Sequence, residues 1–152
     1  MQLFTIALVM ARVKIDLPAQ FIFSTSLSIR VYDLNYGAHL GNDRVLALMH
    51  EARVQMLKYL GFNNERNGIE GKGIIMSDAA VVYKAEGFYD DNITIKIGAT
   101  DLSRVSFDLV YLMEKNNGKE LARGKTGIVC FDYELGKAIS IPEPLKNKLV
   151  AG

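Results

Sequence analysis

Asp33, Asn35, His39 and Asn42 crowd into one short stretch, and Glu51 follows on what reads as the helix that Asn42 opens. A carboxylate can act as a nucleophile or as the base that activates water, while an imidazole or a carboxamide can orient the reacting group. Backbone N–H groups around His39–Asn42, in particular those of Leu40 and Gly41, precede the helix, where unsatisfied donors and the dipole favour a developing oxyanion. Gly37 and Gly41 allow a ligand to approach the backbone closely. The segment therefore holds the parts needed to attack a polarised carbonyl. Glu51, about two turns into the helix, is expected to be enclosed by whatever wraps that helix, a setting that tunes a carboxylate into a base.

Each residue also has a plainer reading. Glu51 is alternatively a helix-surface residue or a partner of Lys58 or Arg53, His39 a hydrogen-bonding member of the turn, Asn42 a helix cap, and Asp33 a stabiliser of the strand end. Asp78 sits inside the apolar run Ile74–Val82, so it is expected either to line a substrate pocket or to form a buried ion pair. Arg104 and Ser106, on a later strand, read as a solvated strand face. Met49, Met76 and Phe88 hint at an apolar tunnel, with core packing as their default. Cys130, the one cysteine, sits mid-strand and reads as core. His39 and His50 lack an acidic cluster at ligand spacing, so no metal is expected, and no glycine-rich phosphate loop follows a strand.

The elements that position these residues follow from periodicity. Phe23, Thr25, Leu27, Ile29 and Val31 alternate with polar neighbours as one strand over Phe21–Tyr32. Val45, Met49, Ala52, Met56 and Leu60 recur at helical spacing, with Leu46, Leu48 and Leu57 widening the apolar surface and Gly61-Phe62 as a stop signal. Gly73–Tyr83 reads as a largely buried strand, followed by alternation at Ile93, Ile95, Ile97 and again at Val105–Met113. Asn117-Gly118 marks a hairpin into a last long strand, Lys119 to Tyr133. Ala138–Ile141 forms a short segment, and the polar tail a last helical turn. One helix followed by strands on short loops implies an α+β fold with an antiparallel sheet packed on that helix.

Length and composition set the frame. The 152 residues suit one domain, and 18 basic against 17 acidic residues leave no field to attract nucleic acid. Leu3–Ala11 is apolar but shorter than the roughly 18 residues of a membrane span, and it lacks a preceding positive region, so neither membrane crossing nor secretion is expected. Residues 1–20 read as an N-terminal extension, with Met10 as a plausible start that places 1–9 upstream, and 21–148 as the domain.

A resemblance enters at Arg30-Val-Tyr-Asp-Leu-Asn-Tyr-Gly-Ala-His-Leu-Gly-Asn42, followed by His50-Glu-Ala-Arg-Val-Gln-Met-Leu57. This pattern resembles the hotdog-fold thioesterases of the 4-hydroxybenzoyl-CoA and acyl-ACP families, and the similarity extends over about residues 21–148. It implies a curved antiparallel sheet of about five strands wrapped around one long central helix. It implies an acyl-CoA or acyl-ACP thioesterase acting on a fatty or aromatic acyl group, with no cofactor beyond the CoA thioester substrate. For Arg104 and Ser106 the resemblance implies a contact with the CoA moiety instead of a solvated face. A cytoplasmic homodimer, or a tetramer made of two dimers, is the implied assembly. Asn35 stands where many members place a catalytic Asp, and Gly37 where acyl-ACP thioesterases place Asn. A related branch uses a glutamate of the central helix, so Glu51 becomes the leading carboxylate by resemblance. Two other classes stay open: an acyl-thioester-binding hotdog protein without catalysis, and an enoyl-CoA hydratase built on Asp33, Asn35 and His39.

Overall fold

Alternating apolar side chains build the sheet. In the computed structural model, which describes residues 12–151, Ile93, Ile95 and Ile97 of β3 (Asn92–Thr100) and Phe107, Leu109, Tyr111 and Met113 of β4 (Ser106–Lys115) are all buried. They share one face, as the two-residue period of a strand requires. The chain order is β1 (Phe23–Ser28), a 3-10 turn (Val31–Asp33), α1 (Asn42–Tyr59), β2 (Gly73–Tyr83), β3, β4, β5 (Glu120–Asp132), β6 (Lys137–Ala138) and α2 (Glu143–Val150). All pairings are antiparallel and the spatial order is β1-β3-β4-β5-β2, with β6 beside β5. This is the α+β hotdog arrangement, with six strands rather than five.

Helix α1 packs on one face of the sheet through Val45, Leu48, Met49, Ala52, Met56 and Leu57. The helix packs tightly on Gly124 of β5, where any Cβ would run into the Met49 sulfur. The helix ends as its sequence suggested. The amide of Phe62 donates to Leu57 O (2.8 Å) and that of Gly61, at φ +96°, to Lys58 O (3.1 Å), with Phe62 buried behind them. At the hairpin, Gly118 takes φ +81° and Asn117 Oδ1 accepts the Lys119 amide.

Three expectations need correction. The first strand stops at Ser28, and Val31 is 70% exposed, because the Asp33 carboxylate accepts the Arg30 amide (2.8 Å) and bends the chain into a 3-10 turn. β2 is not largely buried: it forms a sheet edge, and Met76–Ala79 are exposed in the single chain. The tail is more than a turn, since α2 buries Leu145 and Leu149.

Residues 12–20 lie along the opposite face of the sheet. Ile15 is buried there, Arg123 Nη1 donates to Ile15 O (3.1 Å), and Pro18 presses on Gly98. The start at Met10 and the segment 1–9 fall outside the described residues. Among the described residues no helix is long and apolar enough to cross a membrane.

Candidate active site

The loop from Asp33 to Asn42 is tied together by its own backbone. Asn35 Oδ1 accepts the amides of Gly37 (2.9 Å) and His39 (3.3 Å), and the Asn35 amide donates to His39 O (2.8 Å). This is an Asx turn, for which Asn is suited. The left-handed residue inside it is Ala38 at φ 63°, not Gly37. The Leu40 amide donates to Gly87 O and the Gly41 amide to Asp33 O. Gly87 must lack a side chain, because a Cβ would meet Ile29 and Leu40 at 2.6 and 3.2 Å. The amides of His39, Leu40 and Gly41 are thus occupied, contrary to the expectation of an oxyanion hole there. Gly41, not Asn42, is the N-cap, and the Asn42 side chain makes no capping bond because the residue already lies in the first turn. Among the described residues, the amides of Asn42 and Asp43 have no partner at the helix start.

Asp33 is buried and bound to Arg30 through the Nε (3.1 Å), Nη2 (3.2 Å) and backbone amide. Burial opposes its charge, but the hydrogen bonds from Arg30 outweigh it and hold the carboxyl below its usual range. His39 is turned elsewhere, edge-on to Phe88 (5.9 Å between centroids) with Nε2 3.9 Å from Glu86. Asn35 Oδ1 and the His39 ring both come within 3.5 Å of where a Gly37 Cβ would stand, whereas the Asp33 carboxylate is turned to Arg30.

Glu51 opens instead into a cleft of about 470 Å³ between α1 and the end of β1, lined with Arg30, Tyr32, Asp33, Arg44 and Leu48 among others. The side chain is exposed rather than enclosed, since it lies on the open flank of α1. Neither Lys58 nor Arg53 pairs with it. Glu51 Oε1 accepts Gln55 Nε2 (2.8 Å), and Gln55 Oε1 accepts Thr25 Oγ1 (2.6 Å), so a neutral relay from β1 fixes the carboxylate. Arg44 lies over the Tyr32 ring at 4.1 Å.

Residues 29–149 match the profile of the thioesterase-like superfamily, four-fifths of the chain. The chain belongs to that superfamily. A curated protein of Aquifex aeolicus, whose name assigns it provisionally as an esterase, is 24% identical over 121 residues, 80% of this chain and 92% of that protein. Among solved structures, a 1,4-dihydroxy-2-naphthoyl-CoA thioesterase from Synechocystis superposes with TM-score 0.68 at 17% identity, covering 84% of this chain and 94% of the other. A Thermus thermophilus thioesterase complexed with coenzyme A and zinc gives TM-score 0.75 at 21% identity, over 86% and 93%. At such identities the structural likeness establishes the shared fold.

Other candidates lie apart from the Glu51 cleft of this thioesterase-like chain. Asp78 is not in a buried pair: it is exposed at a β-bulge of the edge strand, where it accepts Lys125 Nζ and the Gly127 amide, both at 2.9 Å. Arg104 donates to Ser140 Oγ and Ser106 Oγ lies 2.8 Å from Ser103 Oγ, so both serve the β3–β4 connection. Met49 is core, whereas Met76 and Phe88 are exposed. Cys130 is buried, and burial pushes its thiol up to about 11, which leaves it protonated at neutral pH.

Sequence reasoning missed the arginines. Arg44 stands two turns before Glu51, a spacing that already placed both on one side of the helix. It also missed that Arg53, read there as a partner for Glu51, and His50, read only against a metal site, gather around Glu65. Arg53 Nε donates to Glu65 Oε1 (2.6 Å) and its Nη1 to Tyr111 Oη (3.5 Å), while His50 Nε2 lies 3.1 Å from Glu65 Oε2. Burial works against the Glu65 charge, yet Arg53 and then His50 more than offset it and hold the carboxyl below its usual range. No sequence spacing announces this contact, because Glu65 arrives from the loop after the helix.

Proposed function

We propose that the protein is an acyl-CoA thioesterase in which Glu51 activates the attacking water. The carrying observation is the contrast among carboxylates along α1. Asp33 and Glu65 are each neutralised by an arginine, whereas Glu51 is held by a neutral amide and has no salt bridge among the described residues. A carboxylate so placed is free to take a proton. Arg30 and Arg44 in the same cleft suit the phosphates of CoA, or of the phosphopantetheine arm of an acyl-ACP.

The free amides of Asn42 and Asp43 suit a developing oxyanion. At 1.5 Å of rise per residue they lie roughly 12 Å from Glu51, too far for one thioester to touch both on one chain. This separation, and the exposed edge of β2, support a homodimer in which a second copy supplies the amides. The occupied carboxamide of Asn35 favours a second reading, an acyl-thioester binder without turnover.

Thiol release from a panel of fatty and aromatic acyl-CoAs and acyl-ACPs, alongside binding of the same ligands, tests the proposal. Turnover that is lost in Glu51→Gln supports it. Binding without turnover in the unaltered protein selects the second reading.

A further inference from the structure

Helix α1 carries a second titratable constellation on its other flank. His50 opens into a cleft of about 280 Å³ facing the β2 edge, together with Asp43, Leu46, Ala47, Arg53 and Met76. Its Nε2 is 3.1 Å from Glu65 Oε2, and Glu65 is itself fixed by the buried Arg53 at 2.6 Å. A histidine oriented by an anchored carboxylate is a proton-transfer group in the right tautomer: with Nε2–H directed at Glu65, Nδ1 exchanges the proton with a reactant.

The two flanks meet at Ala47. Residues three and four apart are neighbours on a helix surface, so Ala47 lies beside both His50 and Glu51. It lines both clefts and is exposed, and its methyl group makes a low saddle between them. A thioester lying across that saddle would have Glu51 on one side and His50 on the other.

We propose that His50 is the general acid of the reaction, protonating the thiolate as it leaves, with the thioester lying across Ala47 between His50 and Glu51. The inference rests on the reading of Glu51 as base. Water loses one proton to Glu51 as its oxygen bonds to the carbonyl carbon. The tetrahedral adduct then expels sulfur, and the C–S bond breaks as the His50 imidazolium delivers its Nδ1 proton to that sulfur. Glu65 holds the ring in place through Nε2. The proton held by Glu51 passes through solvent to His50, which restores both groups and leaves acid and thiol as products.

The leaving group is the diagnostic. An alkyl thiolate such as that of CoA is the more basic leaving group and gains more from a proton donor than an aryl thiolate, whose conjugate acid has a much lower pKa. His50→Gln, which keeps a hydrogen bond to Glu65 available, is compared with the unaltered protein on two thioesters of one acyl group, one of CoA and one of 5-thio-2-nitrobenzoate. Turnover of the acyl-CoA falls about 100-fold or more, the range of a lost general acid, while that of the aryl thioester falls less than about 10-fold. Equal losses on both substrates, or no loss on acyl-CoA, overturn the role of His50. Ala47→Leu, at an exposed position that tolerates the change, slows both substrates; unchanged rates overturn the placement across the saddle. Glu51→Gln slows both thioesters if Glu51 is the base, so full rates there defeat that reading separately from the His50 comparison.

Discussion

Replacing Arg53 with Met isolates what its ion pair does for the fold. The Arg53 side chain is 7% exposed and that of Glu65 25%, so the pair is largely out of water. Met keeps much of the arginine's apolar volume, and the loss is then mainly electrostatic: a half-buried carboxylate without its cation. Breaking a fully buried pair costs about 3–5 kcal/mol, and the residual exposure of Glu65 and its contact with His50 reduce this to about 2–3 kcal/mol. For a chain of this size that lowers Tm by about 5–10 °C. The pH dependence gives the sharper test. In the unaltered protein the Glu65 carboxyl is held below its usual range, so its stabilisation is present above the unfolded-state pKa and lost as pH falls through the folded one. Without Arg53, only His50 opposes the effect of burial on Glu65, so the folded-state pKa rises and acidification costs the variant less than it costs the unaltered protein. Urea denaturation at pH 7 and pH 5 should therefore show the difference between the two proteins shrinking on acidification. A difference that is the same at both pH values would refute the assignment of Glu65 as the charge that Arg53 neutralises.

Two further changes probe the scaffold. Gly124→Ala places a methyl group into Met49 and should cost about 1–3 kcal/mol by overpacking, measured by urea denaturation; Met49→Ala should cost less in that variant than in the unaltered protein. Ala38→Gly removes a side chain from a left-handed position and should stabilise the protein by about 0.5–1 kcal/mol, seen as a higher denaturation midpoint, whereas a fall would show that Ala38 does not adopt φ 63° in solution.

The periodic parts of the fold were legible because burial there follows one rule. Ile93, Ile95 and Ile97 face the helix, as alternation demands, and Asn117-Gly118 turns where its backbone preferences allow. The first strand was overextended because alternation runs on through Val31, and counting positions does not reveal that Asp33 reaches back to the Arg30 amide. The exposure of β2 is not legible, because an apolar run is the same whether a strand is central or at an edge. In the site, the place of Glu51 on the helix was visible, and so was Gln55 one turn on, but its exposure was not, since that depends on how far the sheet extends beside it. The amides before the helix looked free because their acceptors, Gly87 O, Asp33 O and Asn35 Oδ1, are set by loop closure. Glu65 was invisible as a partner of Arg53 and His50 for the same reason: the contact exists only once the chain has folded back.

Whether Glu51 performs the chemistry is decided by the single-turnover rate of acyl-CoA hydrolysis in Glu51→Gln at saturating protein. Gln retains the size of the side chain and the contact with Gln55 but cannot accept the proton of water. The rate should fall by about 100-fold or more with acyl-CoA affinity unchanged. An unchanged rate at the same affinity would contradict it.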